Sequence, residues 1–98
     1  MEKSFYTRKG IGVCILDTGI YEHIDFTGRI WTFYDFLDFK RRPYDDNGHG
    51  THVAGLVAGD GTASMGKYRG AAPGCGINAL KVLDRYGCLL YTSDAADD

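Results

Sequence analysis

The chain has 98 residues, 44% of them hydrophobic, and a net charge of −2, values typical of one small globular domain. No segment approaches the roughly 20 apolar residues that a membrane-spanning helix needs. The only basic cluster, residues 40–42, lies in a polar loop beside Pro43, so we expect neither a nucleic acid nor a membrane as a partner.

The first clear element is an apolar run, rich in Val and Ile, that begins at Ile11 and ends at the acid Asp17. It predicts a strand buried on both faces of a sheet. The basic pair Arg8-Lys9 before it imitates the start of a signal peptide, but the run is short and Asp17 closes it. Localisation therefore stays open, and both a cytoplasmic and a secreted protein fit the sequence.

Three further elements follow along the chain. Aromatic and β-branched residues predict a second strand over Ile30–Phe36, followed by a polar loop that reaches Gly48. Apolar residues at helical spacing predict a helix over His49–Ala58, closed by glycines, and Gly76–Leu83 is typical of a third strand. Strands separated by a helix predict an α/β fold with a parallel sheet.

The three cysteines, Cys14, Cys75 and Cys88, form neither a metal-ligand spacing nor an even disulfide framework. Cys14 lies inside the apolar run, and we interpret it as a small buried hydrophobic residue. The redox compartment stays undetermined.

The segment 88–98 breaks the pattern of the preceding chain. Translated back through the genetic code, Cys88 to Asp97 can be encoded by a stretch that resembles the end of a transposase sequencing adapter. We therefore interpret 88–98 as a non-native tail, which we expect to pack against nothing, and exclude it from fold reasoning.

An acid and a base occupy chemically meaningful places in these elements. Asp17 stands at the carboxyl end of a predicted core strand, where open α/β sheets form their crevice. His49 stands at the first turn of the predicted helix. A carboxylate in contact with the Nδ1 atom of a histidine would hold that nitrogen protonated, so that the Nε2 atom faces a nucleophile.

Three sequence blocks, in order, carry a family resemblance. They are Val13–Gly19 with its Asp-Thr-Gly, His49-Gly-Thr-His-Val-Ala-Gly55, and Gly70-Ala-Ala-Pro73 followed by Lys81-Val-Leu83. Together they resemble the opening blocks of subtilisin-like serine peptidases, over about Lys9 to Gly87. The order of acid and base also agrees with the Asp, His, Ser order of that family.

The resemblance implies the N-terminal part of a subtilisin-like catalytic domain over residues 1–87. Its fold would be a truncated piece of a three-layer α/β fold, with a parallel sheet flanked by helices. The implied activity is that of a serine endopeptidase with an Asp-His-Ser triad, of which this chain carries Asp17 and His49. The family's serine and oxyanion asparagine have no match here, so we expect the chain itself to be inactive.

The resemblance also implies roles around the triad. Asn47, Gly50 and Leu83 fall where the family lines its cleft for polypeptide substrates. Asp25 matches a position that binds structural calcium in some members, although the loop after the helix differs here; the chemistry itself requires no cofactor or metal. From the residues alone, the Thr18 hydroxyl either donates to Asp17 or serves the turn with Gly19.

Three alternatives stay open from the residues alone. The segment 61–68 approaches a phosphate-binding loop, but Tyr68 replaces the magnesium-binding hydroxyl. His49 and His52 could be zinc ligands, although their spacing lacks the geometry of H-E-x-x-H. A catalytically dead, subtilase-like scaffold or binding domain is the third alternative.

Overall fold

The computed structural model describes residues 2–7 and 10–89 of the chain. The described part contains one α-helix, two short 3-10 turns over Ile24–Phe26 and Thr62–Ser64, and a four-stranded sheet. The regular elements are β1 (Glu2–Thr7), β2 (Gly10–Asp17), β3 (Ile30–Asp35), α1 (His49–Ala58) and β4 (Gly76–Lys81).

The strands lie in the order β1-β2-β4-β3. β4 pairs in parallel with β2 and with β3, whereas β1 is an antiparallel edge strand on β2. The predicted α/β class is therefore confirmed. The sheet is mixed, however, because β1 was not predicted: no apolar alternation marked residues 2–7 as a strand.

The core lies between one face of the sheet and α1. Its buried residues come from β2, β4, α1 and the segments beside them: Val13, Ile15, Ile20, Phe26, Ala54, Ala58, Cys75, Ile77 and Ala79. The prediction that β2 is buried on both faces is wrong, since Cys14 and Leu16 on its other face are only partly buried. Within the described residues, α1 is the one helix that covers the sheet, and it covers one face.

Three charged residues form a row across the carboxyl edge of the sheet. The strand register pairs Asp17 with Lys81 and Asp35 with Lys81, so their side chains lie on one face. Lys81 is 1% exposed, and its Nζ atom donates to the Thr18 carbonyl at 2.7 Å, to Asp46 Oδ1 at 2.8 Å and to the Leu83 carbonyl at 3.0 Å. The buried ammonium thus has three acceptors for its three protons.

Asp35 ends the strand that was predicted to reach Phe36. Its carboxylate accepts hydrogen bonds from the backbone N–H groups of Leu37, Asp38 and Lys40 and from the Tyr44 hydroxyl. Burial acts to raise the pKa of Asp35, but these hydrogen bonds outweigh burial and lower the pKa below its usual value. The ionised side chain folds the following loop back onto the sheet edge.

The chain around the predicted boundary at residue 87 forms a turn. The N–H of Asp84 donates to the Cys88 carbonyl at 2.9 Å, the N–H of Cys88 donates to Asp84 Oδ1 at 3.0 Å, and Leu89 bridges to Leu83. The expectation that 88–98 packs against nothing is wrong for Cys88 and Leu89. Residues 90–98 lie outside the described residues, and the domain boundary stays a prediction.

In the described ranges, the structure contains no helix with the length and apolar character needed to cross a membrane.

The buried ammonium of Lys81 can be tested by a matched pair of substitutions. Lys81→Met leaves two carbonyls and the Asp46 carboxylate without their partner, so we expect a loss of about 3–5 kcal/mol in unfolding free energy. Asp46→Asn should cost less than Lys81→Met, because Asp46 is 43% exposed and an amide oxygen still accepts from Lys81. Urea denaturation of the 98-residue chain measures both. Equal losses would contradict this account of Lys81.

Candidate functional site

Asp17 and His49 are in direct contact. Asp17 is the last residue of β2 and is 8% exposed, and His49 is the first residue of α1. The Nδ1 atom of His49 lies 2.8 Å from Asp17 Oδ1 and 3.0 Å from Oδ2. The contact that an Asp-His-Ser triad requires between the two side chains is therefore present. The backbone N–H of Thr18 also donates to Asp17 Oδ1, at 2.7 Å.

The contact determines which nitrogen of His49 carries a proton. An ionised carboxylate only accepts hydrogen bonds, so we assign the proton of the neutral ring to Nδ1. Nε2 then carries the free lone pair on the ring edge away from Asp17. The His49 side chain is 62% exposed, so this edge is open to a reacting group. The pair can act as a general base with an orienting acid.

Asp45 is the residue of the site that the sequence analysis missed. Its carboxylate accepts five hydrogen bonds, from the backbone N–H groups of Asn47, Gly48 and Thr51 and from the hydroxyls of Thr18 and Thr51. Burial acts to raise the pKa of Asp45, but the hydrogen bonds outweigh burial and lower the pKa to about 2. Asp45 lies three residues ahead of Gly48, the N-cap of α1, so the N-cap preference gave no signal for it in the sequence.

Of the two roles left open for the Thr18 hydroxyl, donation to Asp17 is not observed. Its hydroxyl donates to Asp45 Oδ1 at 2.8 Å and accepts from the Gly50 N–H at 2.9 Å, so it does not donate to Asp17. Only the backbone N–H of Thr18 contacts the Asp17 carboxylate. The side chain therefore joins the turn after β2 to the first turn of α1.

Gly50 allows this close approach of helix and turn. A Cβ atom added at Gly50 would lie 2.2 Å from the backbone oxygen of Gly19, well inside van der Waals contact. The residue before His49, Gly48, has a φ of 103°, in the left-handed region that glycine tolerates best. Backbone packing thus explains the glycine after His49, and backbone conformation explains the glycine before it.

The cleft beside His49 brings together two of the three predicted substrate-binding residues. It has a volume of about 240 Å³ and is lined by Thr18, Asn47, His49, Leu83 and Gly87. Gly50 is buried against Gly19 and is not among these residues. Asn47 Oδ1 accepts from the His49 N–H at 3.0 Å, and its amide nitrogen donates to the Arg85 carbonyl at 2.9 Å. Roles in substrate binding stay predictions.

Asp25 offers one carboxylate in the part of the chain where calcium was predicted. Its Oδ1 accepts a hydrogen bond from the N–H of Ala63 at 2.7 Å, in the loop after α1. Across residues 10–89, no group of three or more His, Cys, Asp or Glu side chains could hold a metal ion. Calcium is also bound by backbone and amide oxygens, and calcium binding at Asp25 stays a prediction.

Two glycines of α1 give a matched test of the helix approach. Gly50→Ala should lower the unfolding free energy by about 1–3 kcal/mol, because the methyl group collides with backbone. Gly55→Ala is the control: an added Cβ at Gly55 meets nothing within 4 Å, and alanine in a helix interior gains about 0.5–1 kcal/mol. Thermal unfolding followed by circular dichroism measures both. A neutral Gly50→Ala would refute the close approach.

Comparisons with known proteins identify the family of the chain. The model of the Subtilase family matches residues 8–97. Serine protease AprX of Bacillus subtilis (strain 168) is 45% identical over an alignment of 105 positions, which covers 94% of this chain and 24% of AprX. Thermitase of Thermoactinomyces vulgaris is 39% identical over 87 residues, which cover 88% of this chain and 31% of thermitase.

A solved structure shares the fold. The crystal structure of a cold adapted subtilisin-like serine proteinase superposes with a TM-score of 0.66 at 35% identity, over 84% of this chain and 27% of that one. The chain therefore spans roughly a quarter to a third of the length of these relatives. From the family match, the identities and the shared fold together, we conclude that this chain belongs to the subtilase family.

Proposed function

We propose that this chain is the N-terminal part of the catalytic domain of a serine endopeptidase, in which Asp17 and His49 are the acid and base of an Asp-His-Ser triad. One observation carries the proposal. The Nδ1 atom of His49 lies 2.8 Å from a carboxylate oxygen of Asp17, while the ring is 62% exposed. This is the arrangement in which an orienting acid leaves the opposite nitrogen free for a nucleophile.

The proposed reaction is acyl transfer through His49. Nε2 accepts the proton of the serine hydroxyl as the serine oxygen attacks the peptide carbonyl carbon, and Asp17 stabilises the imidazolium that forms. The C–N bond then breaks, and the same proton passes from Nε2 to the leaving amine. Water repeats the sequence on the acyl-enzyme, with His49 again as base and then as acid.

We assign the nucleophile to a part of the enzyme other than the described residues. Ser4 belongs to the edge strand β1, in register with Val13 and not with Asp17. Ser64 is occupied, since its hydroxyl donates to the Gly61 carbonyl and accepts from the Tyr68 N–H. It does not line the cleft beside His49. Ser93 lies outside the described residues and inside the segment that we interpret as a non-native tail. The relatives are three to four times longer than the part they share with this chain.

The proposed substrates are polypeptides, in line with the names of the relatives as serine protease and subtilisin-like proteinase. The cleft of about 240 Å³ beside His49 would accept a side chain or a backbone segment next to the scissile bond. Asn47 presents a polar group there and Leu83 an apolar one. We propose these two residues as substrate contacts.

The roles of Asp17 and His49 can be tested in the complete protein. Asp17→Asn should preserve the fold but favour the wrong imidazole tautomer, with a loss in kcat of about 10⁴-fold, as for the equivalent change in a trypsin-like triad. His49→Ala removes the proton acceptor itself and should be at least as damaging. Steady-state hydrolysis of a peptide substrate measures both.

Matched controls separate this expectation from general damage. His52→Ala removes the other, exposed histidine of α1, and Asp38→Asn removes an exposed acid; both should retain activity. A complete protein that is folded, inactive and indifferent to Asp17→Asn and His49→Ala would instead favour a scaffold or binding role.

The assignment of the nucleophile to another part of the enzyme gives a separate test. The 98-residue chain should show no turnover of a peptide substrate and no covalent labelling by a serine-directed phosphonate, measured by mass spectrometry. The complete enzyme is the positive control. Labelling of the 98-residue chain at any serine would contradict this assignment of the nucleophile.

A further inference from the structure

The Asp45 carboxylate lies between the two chain segments that carry the acid and the base. On one side it accepts from the hydroxyl of Thr18, the residue after Asp17, at 2.8 Å. On the other side it accepts from the N–H of Gly48, the residue before His49, at 2.8 Å. One side chain thus contacts the direct neighbour of each member of the pair, without contacting either one.

The two oxygens of Asp45 divide the contacts between them. Oδ1 accepts from Thr18, Gly48 and Asn47, the last at 3.1 Å. Oδ2 accepts from the N–H of Thr51 at 2.8 Å and from its hydroxyl at 2.5 Å. Every partner is a donor, so both oxygens must be acceptors, as only the ionised carboxylate provides. The low pKa of Asp45 agrees with this requirement.

Hydrogen bonds from the surrounding backbone complete the network around Asp45. The N–H of Gly50 donates to the Thr18 hydroxyl at 2.9 Å, and the N–H of Tyr21 donates to the Thr51 hydroxyl at 2.9 Å. The Ile20 N–H donates to the Tyr44 carbonyl at 3.1 Å, directly ahead of Asp45. The turn after β2, the loop ahead of α1 and the first turn of α1 are therefore fixed relative to one another through Asp45 and two threonines.

We propose that Asp45 is a positioning residue of the Asp17–His49 pair, which sets the distance and orientation of the imidazole relative to the Asp17 carboxylate. The proposal deepens the proposed function, on which its catalytic meaning rests. The physical reason is that proton transfer depends on geometry within about 0.5 Å, which supporting hydrogen bonds hold. A residue that only capped α1 would stabilise the helix without controlling the contact between Nδ1 and the carboxylate.

The test uses the 98-residue chain, because the contact between Asp17 and His49 exists without a nucleophile. In ¹⁵N-labelled protein, the Nδ1–H proton of His49 and the two ring nitrogen shifts report the hydrogen bond and the tautomer directly. In Asp45→Asn the amide NH₂ group must face hydrogen-bond donors. The hydrogen-bond network around residue 45 therefore loses the contacts of one oxygen. We expect exchange of the Nδ1–H proton with solvent to quicken by about tenfold or more, with a shift of the tautomer populations.

Asp60→Asn is the matched control. The Asp60 carboxylate accepts from the N–H and the hydroxyl of Thr62, at 2.9 and 2.6 Å, which reproduces the pairing of Asp45 with Thr51. It lies after the other end of α1. We expect the His49 signals of Asp60→Asn to match those of the wild type.

Each result decides the proposal. If Asp45→Asn keeps its helix by circular dichroism and leaves the Nδ1–H exchange unchanged, Asp45 is only a cap and the proposal is wrong. If Asp45→Asn does not fold, Thr18→Val decides instead, because it removes the hydroxyl that joins Asp45 to the Asp17 turn. Faster exchange in folded Thr18→Val supports positioning, and unchanged exchange refutes it.

Failure of the proposed function would give a different pattern. A complete protein without peptidase activity would contradict the proposed function. The His49 Nδ1–H exchange and nitrogen shifts of the 98-residue chain would still measure positioning. In an active complete enzyme, Asp45→Asn should lower kcat while KM changes little, since Asp45 does not line the cleft beside His49. A variant with unchanged kcat would refute the catalytic meaning of the positioning.

Discussion

The close docking of the first turn of α1 onto the turn after β2 is the constraint on which the site depends. Gly50 has no room for a side chain against Gly19, and Thr18 fills the remaining gap by accepting from Gly50 and donating to Asp45. This approach brings the Nδ1 atom of His49 within 2.8 Å of Asp17. The acid–base pair is thus a consequence of how the backbone packs at the carboxyl edge of the sheet.

Buried charged side chains hold this edge of the sheet in place. Burying them has a desolvation cost that apolar side chains would avoid. Replacing a buried ion pair with well-packed apolar side chains is often neutral or stabilising, so stability alone does not explain Lys81. Its three acceptors come from three different segments, at Thr18, Asp46 and Leu83. An apolar side chain could fill the volume, but it could not fix three backbone and side-chain oxygens in place around the cleft.

The sequence predicted the secondary structure and the residues Asp17 and His49 better than the hydrogen bonds that join them to the rest of the site. Periodicity placed α1 at His49–Ala58, and the acid at the end of an apolar run identified Asp17. Asp45 and Thr18 are 27 positions apart, and no local pattern joins a loop acid to a threonine at that distance. Lys81 was noted only as part of a motif, because a lysine at a strand end is usually exposed. Hydrogen-bond networks of this kind depend on tertiary packing, which local propensity does not encode.

The contact between Asp17 and His49 and an apolar row of side chains lie on opposite faces of the sheet. The contacts around Asp17 and His49 lie on the face that α1 covers, together with Lys81 and Asp35. On the opposite face, the register aligns Leu16, Leu80 and Tyr34 in one apolar row, of which Tyr34 is 47% exposed. Covering this row would add burial energy without touching any hydrogen bond of the pair. The contact between Asp17 and His49 therefore shares no residue with this apolar row and does not depend on its burial.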